Sequence, residues 1–259
     1  MVTDAPPVQV EDLVVSVRDR CVSSVPELVV ERGACVALVG ESGSGKSSAL
    51  LAILGLSASM GARAQGRVRL FGVDVLSASN RQLCRIRGLR AAFVAQTPQG
   101  ALNPTMRLGA LLKRSLALHG IAGADAETRT SEAMAGVLLP RRILDRYPHE
   151  ISGGQAQRFA IALALALGAE LIVADEPTSA LDVTVQSEIL ALLLRLRETK
   201  QLSLLLVSHD LAVVSTLADR IVVMREGAVV ESSPASELFV NPACDYTREL
   251  IDAVPAFGT

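Results

Sequence analysis

Residues 40–47 read Gly-Glu-Ser-Gly-Ser-Gly-Lys-Ser, flanked by the apolar run Cys35-Val36-Ala37-Leu38-Val39 and by Ser48-Ala49-Leu50-Leu51-Ala52-Ile53-Leu54. Strand, glycine loop and helix in that order are the context in which this pattern becomes a phosphate site. Gly40, Gly43 and Gly45 open backbone conformations closed to other residues, so successive N–H groups can converge on one anion. The following helix adds unpaired amides and its positive end. In such a loop Lys46 reaches the β- and γ-phosphates and the Ser47 hydroxyl ligates Mg²⁺. Glu41, Ser42, Ser44 and Ser48 fall within the same cradle. A glycine-rich turn of another α/β protein is the competing reading; the flanking strand and helix favour a nucleoside triphosphate.

The chain of 259 residues suffices for one large α/β domain, or a core with a smaller insertion. Aromatic residues make up only 3%, with no Trp, so much of the apolar half is alanine and leucine. The apolar stretch Phe159–Ala169, between Arg158 and Glu170, is roughly half of what a bilayer crossing needs and predicts a buried helix. Met1–Pro7 carries neither a basic segment nor an apolar run, so no secretory signal is expected and the chain should stay in the cytoplasm. A formal charge of −2 gives no general field for nucleic acid, and no nucleic-acid partner is expected. The basic cluster Arg81, Arg85, Arg87 and Arg90 reads as a solvated face. Cys21, Cys35, Cys84 and Cys244 form no C-x-x-C pair, which argues against zinc or an iron–sulfur cluster and suits a reducing compartment.

Strands are expected at Val8–Val17, Leu28–Val30, Val36–Val39 and Arg67–Phe71. Between residues 97 and 150 Pro and Gly punctuate short helices, Leu108–His119 and Ser131–Leu139, as in a helical insertion. Beyond it follow a helix at Gln155–Leu167, a strand at Leu171–Ala174, a helix at Val183–Thr199 and a strand at Leu202–Val207. A helix at Leu211–Leu217 and a strand at Arg220–Met224 complete the alternation, which argues for a mostly parallel, two-sided sheet. Residues 234–259, with Pro234, Pro242 and Pro255, read as a short C-terminal appendage.

Leu171-Ile172-Val173-Ala174-Asp175-Glu176 is an apolar strand ending in two acids. A buried parallel strand delivers such side chains at the edge where α/β proteins bind ligands. Asp175 would hold Mg²⁺ through water, and Glu176 would polarise the attacking water as general base. An exposed strand end that happens to be acidic is the alternative. Ser152-Gly153-Gly154-Gln155 offers a second anion cradle at the start of a helix, or a glycine-rich cap for that helix alone.

Taken together, these strings resemble the nucleotide-binding subunit of an ABC transporter, and the likeness covers nearly the whole chain. It implies an α/β fold with a P-loop NTPase core, a mostly parallel sheet, N-terminal antiparallel strands and a helical subdomain insertion. The core would span 1–96 and 157–233, the helical subdomain 97–156 and the appendage 234–259. ATP and Mg²⁺ are the implied ligands. By the same resemblance Gln96 matches the Q-loop glutamine, which contacts Mg²⁺ or the water, and Ser179-Ala180-Leu181-Asp182 matches the D-loop. His209 matches the switch histidine that touches the γ-phosphate, where a hydrogen bond stabilises developing charge. His119 and His149 have no such support and read as structural. Lys46, Glu176 and His209 would carry catalysis, while the Ser152–Gln155 cradle would close on the ATP of a facing subunit. Where the family usually stacks an aromatic residue on adenine, the Gly33 turn aligns Val17, a bare apolar contact.

Several strings resemble the peptide and nickel importer branch: Gln96-Thr97-Pro98-Gln99-Gly100-Ala101-Leu102-Asn103-Pro104, Tyr147-Pro148-His149-Glu150, Asp182-Val183-Thr184-Val185-Gln186 and Tyr246-Thr247-Arg248-Glu249-Leu250. That branch implies ATP-driven import of a peptide, nickel or a metallophore. Its partners would be two membrane permease subunits, a second homologous ATPase and an extracytoplasmic substrate-binding protein, with the chain on the cytoplasmic face of the membrane. A groove near Gln96–Leu112 would receive a permease helix. The chain ending at Thr259 leans toward nickel or metallophore. The alternative function is the ATPase of an ABC exporter, or a soluble non-transport ABC ATPase.

Overall fold

Cys35–Val39 and Ser203–Ser208 are apolar runs in which every residue is buried, so each must be covered on both faces. Val8–Val17 instead alternates buried and partly exposed positions, the pattern of a strand with one face on the core. The computed structural model describes residues 5–253, so Pro255 and most of the first residues weighed for a signal lie outside it. The described chain runs β1 (Val8–Val17), β2 (Arg20–Val30), β3 (Cys35–Val39), α1 (Lys46–Ile53), β4 (Ala62–Leu70), β5 (Val73–Asp74) and α2 (Asn80–Cys84). Next come β6 (Ala91–Val94), α3 (Pro98–Ala101), α4 (Leu108–Leu118), α5 (Gly123–Gly136), α6 (Gly153–Leu167), β7 (Leu171–Asp175) and α7 (Val183–Lys200). The last are β8 (Ser203–Ser208), α8 (Leu211–Leu217), β9 (Arg220–Arg225), β10 (Ala228–Pro234), α9 (Ala235–Leu238) and α10 (Asp245–Asp252). Among the described residues no helix is long and apolar enough to cross a membrane.

The chain divides into two compact units, one made of the residues up to Cys84 and from Ser203 onward, the other of Arg85–Leu202. The stretch 97–156 therefore sits in a unit that also holds β6, β7 and α7. In the first unit the strand order is β5-β4-β1-β2-β10-β9-β3-β8. Strands β9, β3 and β8 are parallel, with Val39 level with Ser208 on one side and with Val223 on the other. The N-terminal strands β1, β2, β4 and β5 pair antiparallel, so the α/β fold read from the sequence is present. Helix α1 buries Ala49, Leu50, Ala52 and Ile53 against this sheet. In the second unit β6 and β7 are parallel, and α6 packs against α5, α3 and α4.

Several elements differ from the sequence reading: β4 begins at Ala62 and not at Arg67, and β6 and β10 lie where no strand was expected. Strand β2 extends from Arg20, through Ser23, Ser24 and Pro26, and not only over Leu28–Val30. It pairs with β1 along most of its length but with β10 only at Ser24–Ala228, so Pro26, which lacks an N–H, breaks little of the ladder. The expected helix Ser131–Leu139 is α5, which begins at Gly123 and ends at Gly136. Its first turns, Ala-Asp-Ala-Glu-Thr, lack apolar periodicity, and beyond its end Leu138 takes a left-handed conformation at φ 58°. The buried helix expected at Phe159–Ala169 is the C-terminal part of α6, closed by Gly168 at φ 90°.

Candidate functional site

In the first unit the loop 40–47 leaves the C-terminal end of β3 and turns into α1. Gly40 (φ 144°) and Gly45 (φ 93°) are demanded twice over: a Cβ on Gly40 would stand 2.1 Å from the Met224 carbonyl oxygen, and one on Gly45 would stand 2.3 Å from that of Val22. Gly43, at φ 83°, faces open space. Gly45 offers no side chain to cap the first turn of α1, and the positive end of that helix faces the loop. Lys46, only 5% exposed, donates from Nζ to the carbonyls of Gly40 (2.8 Å) and Glu41 (2.7 Å) and to Ser44 Oγ (3.1 Å). Its charge is thus stored inside the loop. Glu41, Ser42 and Ser47 are exposed and Ser48 is half-buried. These features fit a triphosphate: a helix start capped by glycine, an enclosed ammonium and glycines that leave the approach clear.

Strand register brings two further residues to the same edge. Val39, the last residue of β3, is level with Ser208, the last of β8, so the exposed His209 emerges beside the start of the loop. Asp210 then caps α8, its Oδ1 accepting from Ala212 (2.8 Å) and Val213 (3.3 Å). Val17 ends β1 half-buried, level with Arg20 and Ala62, just before the turn Arg18–Asp19 in which both residues have positive φ.

In the second unit β7 delivers Asp175 and Glu176 at its C-terminal end. Glu176 stands at φ 47°, a strained conformation for a residue with a side chain and one that clusters at functional sites. Gln96 Nε2 donates to Glu176 Oε2 (2.8 Å) and to Ser179 Oγ (3.0 Å), so one amide ties the Q-loop, the acid and the D-loop together. Ser152 and Gln155 form a capping box at the start of α6. Ser152 Oγ accepts from the Gln155 amide (3.3 Å), and Gln155 Oε1 accepts from the Ser152 amide (3.1 Å). Ser152 is exposed, whereas Gly154 is buried because a Cβ there would meet Val185 Cγ1 at 2.4 Å. A Cβ on Gly153 would stand 3.2 Å from Leu181. Asp182 caps α7 by accepting from the Val185 amide at 2.9 Å. The sequence reading placed Ser179, Leu181 and Val185 only within longer strings; their contacts with Gln96 and the two glycines depend on chain crossings that local patterning does not carry.

The residues 25–179 match the family model described as ABC transporter. The chain belongs to the ABC transporter family. It is an ATPase subunit of that family and binds ATP. It is 39% identical to the oligopeptide transport ATP-binding protein OppD of Lactococcus lactis subsp. cremoris, over 90% of this chain and 70% of that one. The oligopeptide transport ATP-binding protein AppD of Bacillus subtilis is 40% identical over 87% of this chain and 70% of its own length. A dimeric structure of the ATP-binding cassette MJ0796, in a post-hydrolysis state with ADP and Pi, superposes with a TM-score of 0.76 at 27% identity, covering 88% of this chain and 98% of that one.

Also within the second unit, a groove of about 650 Å³ is lined by Arg107, Arg142, Arg146, Tyr147 and Gln155, among others. The Arg107 guanidinium lies 5.5 Å from the centre of the Tyr147 ring, and that phenol together with Asp145 and Glu150 raises the Arg107 pKa above its ordinary value. The basic cluster is partly paired: Arg90 forms a two-pronged contact with Glu170, at 2.6 and 3.3 Å.

Proposed function

We propose that this ABC ATPase subunit powers import of peptides, working from the cytoplasmic face of the membrane beside two permease subunits and a second, homologous ATPase. A substrate-binding protein outside the membrane would select the cargo, so this chain hardly touches it. The observation that carries the reading is that one chain holds a glycine loop before α1 and an exposed capping turn before α6, which we read as two anion cradles of different design. A chain with both can bind one nucleotide in its own loop and lend its turn to the nucleotide of a neighbour. The dimeric state of the MJ0796 cassette supports that arrangement. The names of OppD and AppD support peptides over nickel.

In this reading the loop amides and Lys46 hold the phosphates, and Lys46 exchanges the carbonyls of Gly40 and Glu41 for phosphate oxygens. Glu176 orients and deprotonates the attacking water, which requires Gln96 to give up its hold on Oε2. His209 donates to the γ-phosphate as charge develops. Mg²⁺, ligated by Ser47 and reached by Asp175 through water, would neutralise the phosphate charge. Val17 would lie against adenine, Asp182 would stiffen the D-loop, and the Arg107–Tyr147 groove would take a permease helix. The core and helical-insertion limits read from the sequence remain part of this proposal.

The test is to reconstitute the chain with its neighbouring permeases and ask which loaded binding protein stimulates ATP hydrolysis. Oligopeptides should do so; stimulation by Ni²⁺ or a metal chelate alone would reassign the cargo.

A further inference from the structure

Within the C-terminal segment, helix α10 touches the phosphate loop directly. The side chain of Tyr246, on α10, is buried at 4% exposure, and its hydroxyl accepts a hydrogen bond from the Glu41 amide at 3.1 Å. That amide belongs to the same peptide unit as the Gly40 carbonyl, which accepts from Lys46 at 2.8 Å. One rigid plane is therefore gripped at both edges, by Tyr246 on the N–H side and by Lys46 on the C=O side. The end of β9 presses on the same point, since the Met224 carbonyl is the atom that forbids a side chain on Gly40. The next residue, Arg225, lays its guanidinium 4.7 Å from the centre of the Tyr246 ring.

The helix that carries Tyr246 is itself anchored. Glu231 of β10 is buried, and its carboxylate takes both amides at the entry to α10, Ala243 at 2.9 Å and Cys244 at 3.0 Å. A chain of contacts thus runs from β10 through α10 to the first peptide of the loop. When Lys46 turns from the Gly40 carbonyl toward a phosphate, the Lys46 grip on that plane is lost and the Tyr246 grip remains.

We propose that Tyr246 is a positioning residue of the phosphate loop: its hydroxyl fixes the Gly40–Glu41 peptide, so that the loop keeps its open form while Lys46 changes partners. The inference rests on the reading that this loop binds ATP, and it makes the docked C-terminal helix part of the nucleotide site. Phenylalanine at this position keeps the buried ring and its cation contact and removes only the hydroxyl that accepts from Glu41.

The experiment uses the full chain and compares wild type with Tyr246→Phe in two measurements. Titration with ATP and Mg²⁺ should show binding weakened five- to twenty-fold. Amide exchange should be at least ten-fold faster at Glu41 and unchanged along Thr247–Asp252. Glu231→Gln, which acts one contact further away, should weaken ATP in the same direction by less. Equal ATP affinity in wild type and Tyr246→Phe overturns the proposal, as does faster exchange along α10 itself, because the hydroxyl would then hold the helix and not the loop. A wild type that takes up no ATP would instead defeat the underlying reading, and the proposal with it.

Discussion

The two cradles solve the same problem in different ways. Before α1 the cap is a glycine without a side chain, and the balancing charge, Lys46, is folded into the loop's own carbonyls. Before α6 the cap is filled: Ser152 and Gln155 satisfy each other's amides, and no charged side chain takes part. In the proposed function the first would hold an anion alone, and the second would complete a site that already holds one. The acid at the end of β7 follows the second pattern, with Glu176 already occupied by Gln96. Each part satisfies its polar groups internally, since an unpaired buried polar group costs about 1–3 kcal/mol. Ligand and partner must then displace those bonds rather than fill a void.

The sharpest way to break this comparison is Glu176→Gln. An amide at this position still accepts the Gln96 N–H, so the network with Ser179 survives and only basicity is lost. Hydrolysis should fall on the order of 10² to 10⁴-fold, with ATP binding kept, as phosphate release and ATP titration would register. Substantial residual turnover would assign the base elsewhere. Ser152→Arg acts on the other cradle. ATP binding by the isolated chain should be unchanged, while hydrolysis by the assembled transporter falls by roughly 10²-fold or more, the scale of losing a donor to the transferring phosphate. Unchanged hydrolysis would mean that the α6 turn does nothing for a neighbour's nucleotide.

The asymmetry between the cradles also explains what the sequence could say. The loop before α1 was legible because every element of its function is local: strand, glycines, lysine and helix occupy consecutive positions. Strands β3, β7, β8 and β9 were legible for the same reason, as buried apolar runs. The hold of Gln96 on Glu176, the packing of Gly154 on Val185 and the grip of Tyr246 on Glu41 join residues far apart in the chain, and no periodicity encodes them. The tail string around Tyr246 stood out as a pattern, yet nothing in it pointed to the loop. Helix α5 was placed late because its opening turns are held by Asp125–Arg129 pairing and by main-chain bonds, not by an apolar stripe.

The contact between the tail and the first cradle brings a pH dependence. Burial opposes the charge on Glu231, but the Thr247 hydroxyl, the amides of Ala243 and Cys244 and the nearby Arg248 outweigh it, and its pKa lies below the ordinary carboxylate value. A carboxylate whose folded pKa is depressed stabilises the fold above its unfolded pKa, roughly 4.3, and loses that stabilisation as pH falls through the lower folded value. Protection of the Ala243 and Cys244 amides should hold from neutrality down to about pH 5 and collapse in stronger acid. Glu231→Gln should cost about 1–3 kcal/mol at neutral pH and flatten that acid transition. An unaltered transition in the variant would place the titrating group elsewhere.

The smallest effect concerns the base of the nucleotide, which neither cradle touches. Val17 closes β1 where an aromatic ring would supply a flat surface, and the residues that follow it in the turn, Arg18 and Asp19, are exposed and polar. Stacking beyond simple burial contributes on the order of 1 kcal/mol, about a five-fold change in affinity. Val17→Tyr should therefore tighten ATP by that factor, and GTP by a similar one, because the added contact stacks on the base and not on the phosphates. The same substitution in the Tyr246→Phe background should give the same ratio, since base and loop contribute independently when they share no contact. A ratio that changes between the two backgrounds would mean that adenine and the Gly40–Glu41 peptide are coupled, and that the hairpin of β1 and β2 helps to set the loop.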